Sequence, residues 1–349
     1  MLLGMRILAV LTCVFCLLGS RSAATAEPDA LPWSRFEFQQ VEMAVPIRIV
    51  LYAADAATAE QAAQAAFAKI HQLNGVFSDY DETSELRRLC ETAGLGKRVQ
   101  VSDELWRVLV KAQEIAEKSD GAFDVTCGPL VQLWRRARRL KALPAAEHLQ
   151  AARQLVDYRL VRLDPPGQAV ELLKPDMRLD LGGIAKGYVV QDALQVLRDH
   201  GAPAAMVDAG GDLGLGEPPP GRPGWRIGIG TTDPNGPPRV YLCLSRTAVA
   251  TSGDMWQYVI IDGMRYSHIV DPRTGVGLTD HSTVTIVAAD GTTADALSTA
   301  VSVLGPARGL PLVESIPGVA ACILRLHDGR LEVHESRTWP NLPIDTTAK

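Results

Sequence analysis

From Ala204 to Asp290 the sequence runs AAMVDAGG (204–211), GWRIGIG (224–230), RVYLCLS (239–245), YVIIDGMRYSHIV (258–270) and STVTIVAAD (282–290). Each run is short, rich in apolar and β-branched residues, and bounded by Gly, Asp or Pro, the signature of strands joined by tight turns. The stretches between them, such as DLGLGEPPPGRP (212–223) and DPRTGVGLTDH (271–281), are Gly- and Pro-bearing turns and loops without helical patterning, so the runs do not read as parallel βαβ units. The pattern predicts a mixed α+β fold with a largely antiparallel sheet. Working outward, a helix is expected at Thr293–Leu304. A last hairpin, VAACILRL-HDG-RLEVHES (319–336), turns on Asp328-Gly329. Upstream, FEFQQVEMAVPIRIVLYA (36–53) reads as two strands, with further strand signals at YRLVRLD (158–164), AVELL (169–173) and MRLDL (177–181). Flanking helices are expected at Ala56–Asn74, after a cap at Asp103, at Leu130–Lys141, and at 183–201 with Gly201 closing the end.

The chain has 349 residues, with 35 Lys+Arg against 40 Asp+Glu. A net charge of −5 and 5% aromatics argue against a nucleic-acid partner, which needs a basic surface and stacking platforms. Residues 1–26 read as a cleaved export leader: Arg6, the apolar run Ile7–Leu18, then Ala24-Thr25-Ala26. Twelve apolar residues are too short to span a bilayer, which takes about 20, and no transmembrane segment is expected in the mature chain. Cys13 and Cys16 follow Thr12 and Phe15, where lipidation wants a small residue, so a lipid anchor is disfavoured against a free periplasmic protein. Cys90, Cys127, Cys243 and Cys322 show no CxxC spacing, which excludes a zinc ribbon or thioredoxin-type site. Cys243 and Cys322 read as buried hydrophobes. The basic run from Arg135 to Lys141 reads as a solvated helix face, because it goes all round the helix.

Four segments are too polar and glycine-rich to serve packing alone. DLGGIAKGY (180–188) sets two glycines before a helix, leaving N–H groups for an anion, with Lys186 in the first turn. It is neither GxGxxG nor GxxxxGK[ST], so no nucleotide-binding fold of those types follows. In TTADALSTA (292–300), Asp295 and Thr299 are four apart and share a helix face, an oxygen pair suited to Mg²⁺. The alternative is capping, with Thr293 as N-cap and Asp295 complementing the dipole. His268 ends a strand beside the turn Asp271–Gly275, a place suited to proton transfer. The last is the pair DYDETSELRRL (79–89) and GAFDVTCGPL (121–130), where Phe123 could line a planar ligand.

Taken in order, YDETSEL, DGAFDVTCGPLVQLW, LDLGGIAKGY, VDAGGDL, ATSGD, YSHIVDPRTG and ADALSTA make the chain resemble the ApbE family over nearly all of residues 27–349. The resemblance implies one ApbE-like domain, with room for two closely packed subdomains, of a type related to the T-fold. It implies an FAD:protein FMN transferase that uses Mg²⁺ to attach FMN from FAD to a threonine of an acceptor flavoprotein, releasing AMP. Met43, Tyr80, Ala122, Phe123, Asp124, Asp180, Lys186 and Ile269 match flavin-nucleotide positions. Gly183 (through its carbonyl), Asp295 and Thr299 match metal positions. Where the family has Met-Gly-Thr, this chain has Met43-Ala44-Val45. His268 is the candidate base, with Asp180 or Asp295 as alternatives. The competing readings are a Mg²⁺-dependent FAD pyrophosphatase and an FAD carrier without turnover.

Overall fold

Strands β1 (Ser34–Glu42) and β2 (Val45–Ala53) pair antiparallel across a two-residue turn. Met43 and Ala44 both adopt the left-handed conformation, at φ 50° and 61°, the twist a tight hairpin demands. The computed structural model describes residues 33–230, 236–254, 257–327 and 329–345; the leader at 1–26, and Asp328 of the last expected turn, lie outside them. Helix α1 (Ala56–Phe77) is capped by Asp55, which accepts from the Thr58 N–H. After α2 (Glu85–Cys90) and β3 (Val99–Gln100) comes α3 (Asp103–Lys118). Its cap is Ser102, whose hydroxyl accepts from the Leu105 N–H; Asp103 is the first helical residue.

Helices α4 (Gly128–Leu140) and α5 (Ala146–Arg153) precede β4 (Val161–Asp164) and β5 (Ala169–Leu172), which form a small sheet with β3 in the order β3-β5-β4. The basic α4 is not solvated all round: Leu130, Trp134 and Ala137 are buried on one side. MRLDL does not pair as a strand. It buries Met177, Leu179 and Leu181 in the core, while Arg178 and Asp180 stay partly accessible. Helix α6 (Ala185–Asp199) follows, and Gly201 at φ 79° ends its turn.

The runs that decided the sequence reading become β6 (Ala205–Ala209), β8 (Trp225–Ile229), β9 (Val240–Leu244), the pair β11 (Tyr258–Ile261) and β12 (Met264–Ser267), and β13 (His281–Ala288); β7 (Asp212–Leu215) and β10 (Thr247–Gly253) lie between those runs, additional to the expected strands. Helix α7 (Gly291–Glu314) leads to β14 (Ala320–His327) and β15 (Arg330–Glu335). Eight strands make one sheet, β1-β2-β6-β7-β10-β13-β14-β15, with every neighbouring pair antiparallel. The α+β, antiparallel expectation holds.

The central strands of the sheet are buried on both faces, which is why they read as near-continuous apolar runs, while the edge strands β1 and β15 stay accessible. Ile47, Ile49, Ala250, Val284, Ile286 and Ile323 point to one core, which α1, α6 and α7 cover. Val50, Val249, Val287, Cys322 and Leu324 point to the other, covered by the β8–β9 hairpin and Trp339. Each such side chain contributes about 1.5–3 kcal/mol on leaving water. Helix α7 breaks at Gly305 (φ 67°, ψ 178°), so its first part ends where the sequence predicted, at Leu304. Among the described residues it is the one helix long and apolar enough to cross a membrane, but it packs on β10 and β13 with Ala294, Leu297, Ala300 and Val301 fully buried. The four described cysteines are free thiols; Cys322 is buried and Cys243 half-buried.

Candidate active site

The first turns of α6 and α7 touch backbone to backbone. A methyl group on Gly187 would lie 2.0 Å from the Gly291 carbonyl oxygen, and one on Gly291 2.2 Å from that of Gly187. Only glycine fits at this crossing. Asp290 caps α7, accepting from the N–H and the hydroxyl of Thr293. Thr293 is therefore not the cap. Gln191 accepts from the Gly291 N–H, and the Asp295 carboxylate accepts from the Gly187 N–H at 3.0 Å.

Asp295 is not a solvent-exposed complement to the helix dipole: it is 2% exposed. Burial raises its carboxyl pKa, while the Lys186 charge and the N–H groups of Gly187 and Lys186 pull it back down. One helical turn on, Thr299 faces the Gly183 turn, and a methyl group on Gly183 would meet its hydroxyl oxygen at 2.8 Å. The junction thus gathers Gly183, Asp295 and Thr299, as the sequence anticipated. Among the described residues no group of three or more His, Cys, Asp or Glu could hold a metal. A cation at this junction would rest on one carboxylate plus neutral oxygens. That donor set is hard and all-oxygen, and a buried carboxylate of raised pKa gains from a positive charge, so the residues fit Mg²⁺.

Lys186 pairs with Asp212, a buried carboxylate at the start of β7. Asp212 was not a candidate; the signal for it was the GGD of VDAGGDL, where Gly210 and Gly211 at φ 67° and 101° make the turn. Val45 packs on Gly210, so the hairpin tip bearing Met43 stands beside this turn. Asp180 accepts from the Gly182 N–H at 2.8 Å and from Arg135 at 3.0 Å. Arg135 also binds Asp79 and lies 4.2 Å over the Tyr80 ring. Burial and the nearby Asp79 raise the Asp180 pKa. Neither Asp79 nor Arg135 was anticipated as a partner of Asp180, because side-chain pairs so far apart in sequence leave no local pattern.

His268 follows β12. Its backbone N–H and its Nδ1 both reach the Gln257 carbonyl, at 3.0 and 3.1 Å. A carbonyl accepts only, so Nδ1 carries the proton and Nε2 keeps its lone pair. Nε2 makes no hydrogen bond among the described residues. Burial lowers the imidazole pKa to about 4, and the Arg138 and Lys186 charges add to the effect. The hairpin is braced by Arg265, which binds both the side chain and the backbone carbonyl of Asp254.

The turn 121–124 divides its roles. Ala122 joins Ile269 and Val303 in a small apolar cluster. The Phe123 ring is buried in the main core, 4% exposed, so any ligand contact there falls to its backbone. Asp124 accepts from the N–H and hydroxyl of Thr126 and from the Tyr158 N–H, yet burial outweighs these bonds and raises its pKa to about 6.

A match to the ApbE family spans residues 43–324. The chain belongs to that family. An FAD:protein FMN transferase of Treponema pallidum is 33% identical over 335 residues, 91% of this chain and 90% of its own. The ApbE flavin transferase structure from Vibrio cholerae superposes with a TM-score of 0.80 at 27% identity, covering 89% of this chain and all of that one. The ApbE protein of Thermotoga maritima gives 0.79 at 32% identity, with coverage of 89% and 100%. Within this ApbE fold the Met43-Ala44-Val45 departure has a local meaning. Ala44 occupies a left-handed position, where a glycine would be the unstrained residue.

Proposed function

We propose that the protein is a Mg²⁺-dependent FAD:protein FMN transferase acting on a threonine hydroxyl of an acceptor protein. The observation that carries this reading is the α6–α7 junction, where Gly183, Asp295 and Thr299 converge beside Lys186. The acceptor oxygen attacks the phosphorus on the FMN side of the FAD pyrophosphate, the bond to the AMP phosphate breaks, and AMP leaves. His268 Nε2 takes the hydroxyl proton. Lys186 and the N-terminal turns of α6 and α7 offset the pyrophosphate charge. When bound by Gly183, Asp295 and Thr299, Mg²⁺ supplies charge stabilisation at the phosphoryl oxygens. The chain's own residues position and neutralise; none needs to form a covalent bond.

Incubation of the purified protein with FAD, Mg²⁺ and an acceptor, followed by mass spectrometry, tests the reading. FMN covalently on the acceptor with AMP released is the expected result. Free FMN and AMP would identify a pyrophosphatase, and intact FAD a carrier. We also take residues 1–26 as an export leader, supported by their three-part pattern; N-terminal sequencing of the exported protein should begin at Glu27.

A further inference from the structure

Beside Tyr80 the surface opens into a cavity of about 380 Å³ lined by five arginines: Arg87, Arg135, Arg136, Arg139 and Arg178. Its carboxylates are Asp79 and Glu82, and Asp79 is already held by Arg135. Arg136, Arg139 and Arg178 have no carboxylate partner among the described residues, and Arg87 Nε is buried with no hydrogen-bond partner. Many arginines elsewhere are paired, as Arg48, Arg98, Arg162, Arg246, Arg273 and Arg325 illustrate. In a chain of net charge −5 this is a concentrated positive surface. The sequence reading treated the α4 arginines as an undirected solvated face, but Arg135, Arg136 and Arg139 all line this cavity, as helical spacing allows.

The cavity is one hydrogen-bonded step from the proposed reaction centre. Arg135 reaches Asp180, and Asp180 holds the Gly182 N–H of the α6 turn. Arg135 to Arg139 spans about 6 Å of helix axis, and Arg178 and Arg87 extend the basic lining beyond α4. Separate guanidinium heads on long stems suit several carboxylates along an extended chain, which advances about 3.3 Å per residue. A single compact phosphate would instead want donors converging on one point.

We infer that this cavity docks an acidic segment of the acceptor protein, Asp or Glu residues beside the target threonine. The inference rests on the transferase reading for its biological meaning, but its test does not depend on turnover. The probe is a fluorescein-labelled peptide bearing one threonine flanked by Asp and Glu, with an Asn/Gln-flanked control. Binding to the FAD-loaded protein is followed by fluorescence anisotropy. The acidic peptide should bind at least about tenfold tighter than the control, and weaken with added salt. Arg136→Glu with Arg139→Glu should erase that preference while leaving FAD affinity unchanged, and Arg136→Lys with Arg139→Lys should retain most of it. In turnover, the Glu pair should raise KM for the acidic peptide and leave kcat within about twofold. Equal binding of both peptides would overturn the inference. So would unchanged binding in the Glu pair, or a parallel loss of FAD affinity, which would assign the cavity to the nucleotide. Acidic-peptide binding that depends on the arginines, with no FMN transferred, would leave the docking surface standing and remove the transferase reading instead.

Discussion

At the α6–α7 junction two backbones meet with no side chain between them, whereas at the Tyr80 rim long charged side chains reach across open space. Gly187 and Gly291 are so close that a methyl group on either would collide with a carbonyl, and the Asp295 carboxylate is buried against them. Tyr80 is 73% exposed and is overlaid by the Arg135 guanidinium, while Arg136, Arg139 and Arg178 hold no carboxylate among the described residues. The difference separates two demands. Phosphoryl transfer needs groups held to within a fraction of an ångström, and a backbone contact provides that. Docking a protein segment tolerates adjustment, and arginine stems provide that.

The largest expected effect falls on the rigid side. Asp295→Asn keeps an oxygen for the Gly187 N–H but removes the carboxylate proposed to hold Mg²⁺, so FAD cleavage should fall about 10³-fold or more. Circular dichroism melting should stay near wild type. Asp295→Ala should cost a further 1–3 kcal/mol or so of stability by stranding that N–H. EDTA should silence the wild type and Mg²⁺ restore it. Asparagine at full activity under limiting Mg²⁺ would reduce Asp295 to a structural acceptor.

His268→Ala comes next, with transfer slowed about 10²–10⁴-fold while FAD still binds. The pH profile sharpens this. A base must be unprotonated, and with its pKa near 4 the imidazole stays neutral well into the acid range. Transfer should therefore hold to about pH 5 and fall as pH drops through about 4, rather than near the ordinary imidazole value of about 6.5. The charges acting on the ring are Arg138, Lys186 and Asp254; Arg138→Met should move the acid limb upward.

Lys186 tests whether one residue can serve both sides. Lys186→Ala should weaken FAD binding by about 1.5–3 kcal/mol, and should also lower stability, because Asp212 is left buried and unpaired. Adding Asp212→Asn should recover the stability but not the FAD affinity. Recovery of both in a fluorescence titration would show that Lys186 exists only to neutralise Asp212. The smallest effect is Ala44→Gly, which relieves a left-handed alanine at φ 61°. It should stabilise the chain by about 1 kcal/mol, read as a rise in Tm with no change in transfer rate.

Much of this was legible in the sequence. Strand runs with Gly-rich turns gave the antiparallel sheet, because period-2 burial and turn chemistry are local properties. The i, i+4 spacing put Asp295 and Thr299 on one face for the same reason. What stayed hidden was pairing across distance. Nothing near Lys186 announces Asp212, and nothing near Asp180 announces Arg135. Local rules also misassigned two caps: Ser102 stands just before the expected Asp103, and Asp290 stands a turn before the expected Thr293. The alternating Met177, Leu179 and Leu181 read as a strand because an unpaired extended segment buries side chains with the same period.

The order of strands in the large sheet carries one more consequence, for how the chain comes to be active. Ile47 pairs with Ala209, and Gly183 meets Thr299. Contacts between residues so distant close slowly, since the loops between them must be gathered first. A chain emerging from its N-terminus can form the β1–β2 hairpin at once, but β2 waits for β6 and the α6 turn waits for α7. Competence therefore arrives late, when nearly the whole polypeptide is available. A chain threaded unfolded through a membrane would carry no assembled phosphate-transfer centre on the side it leaves.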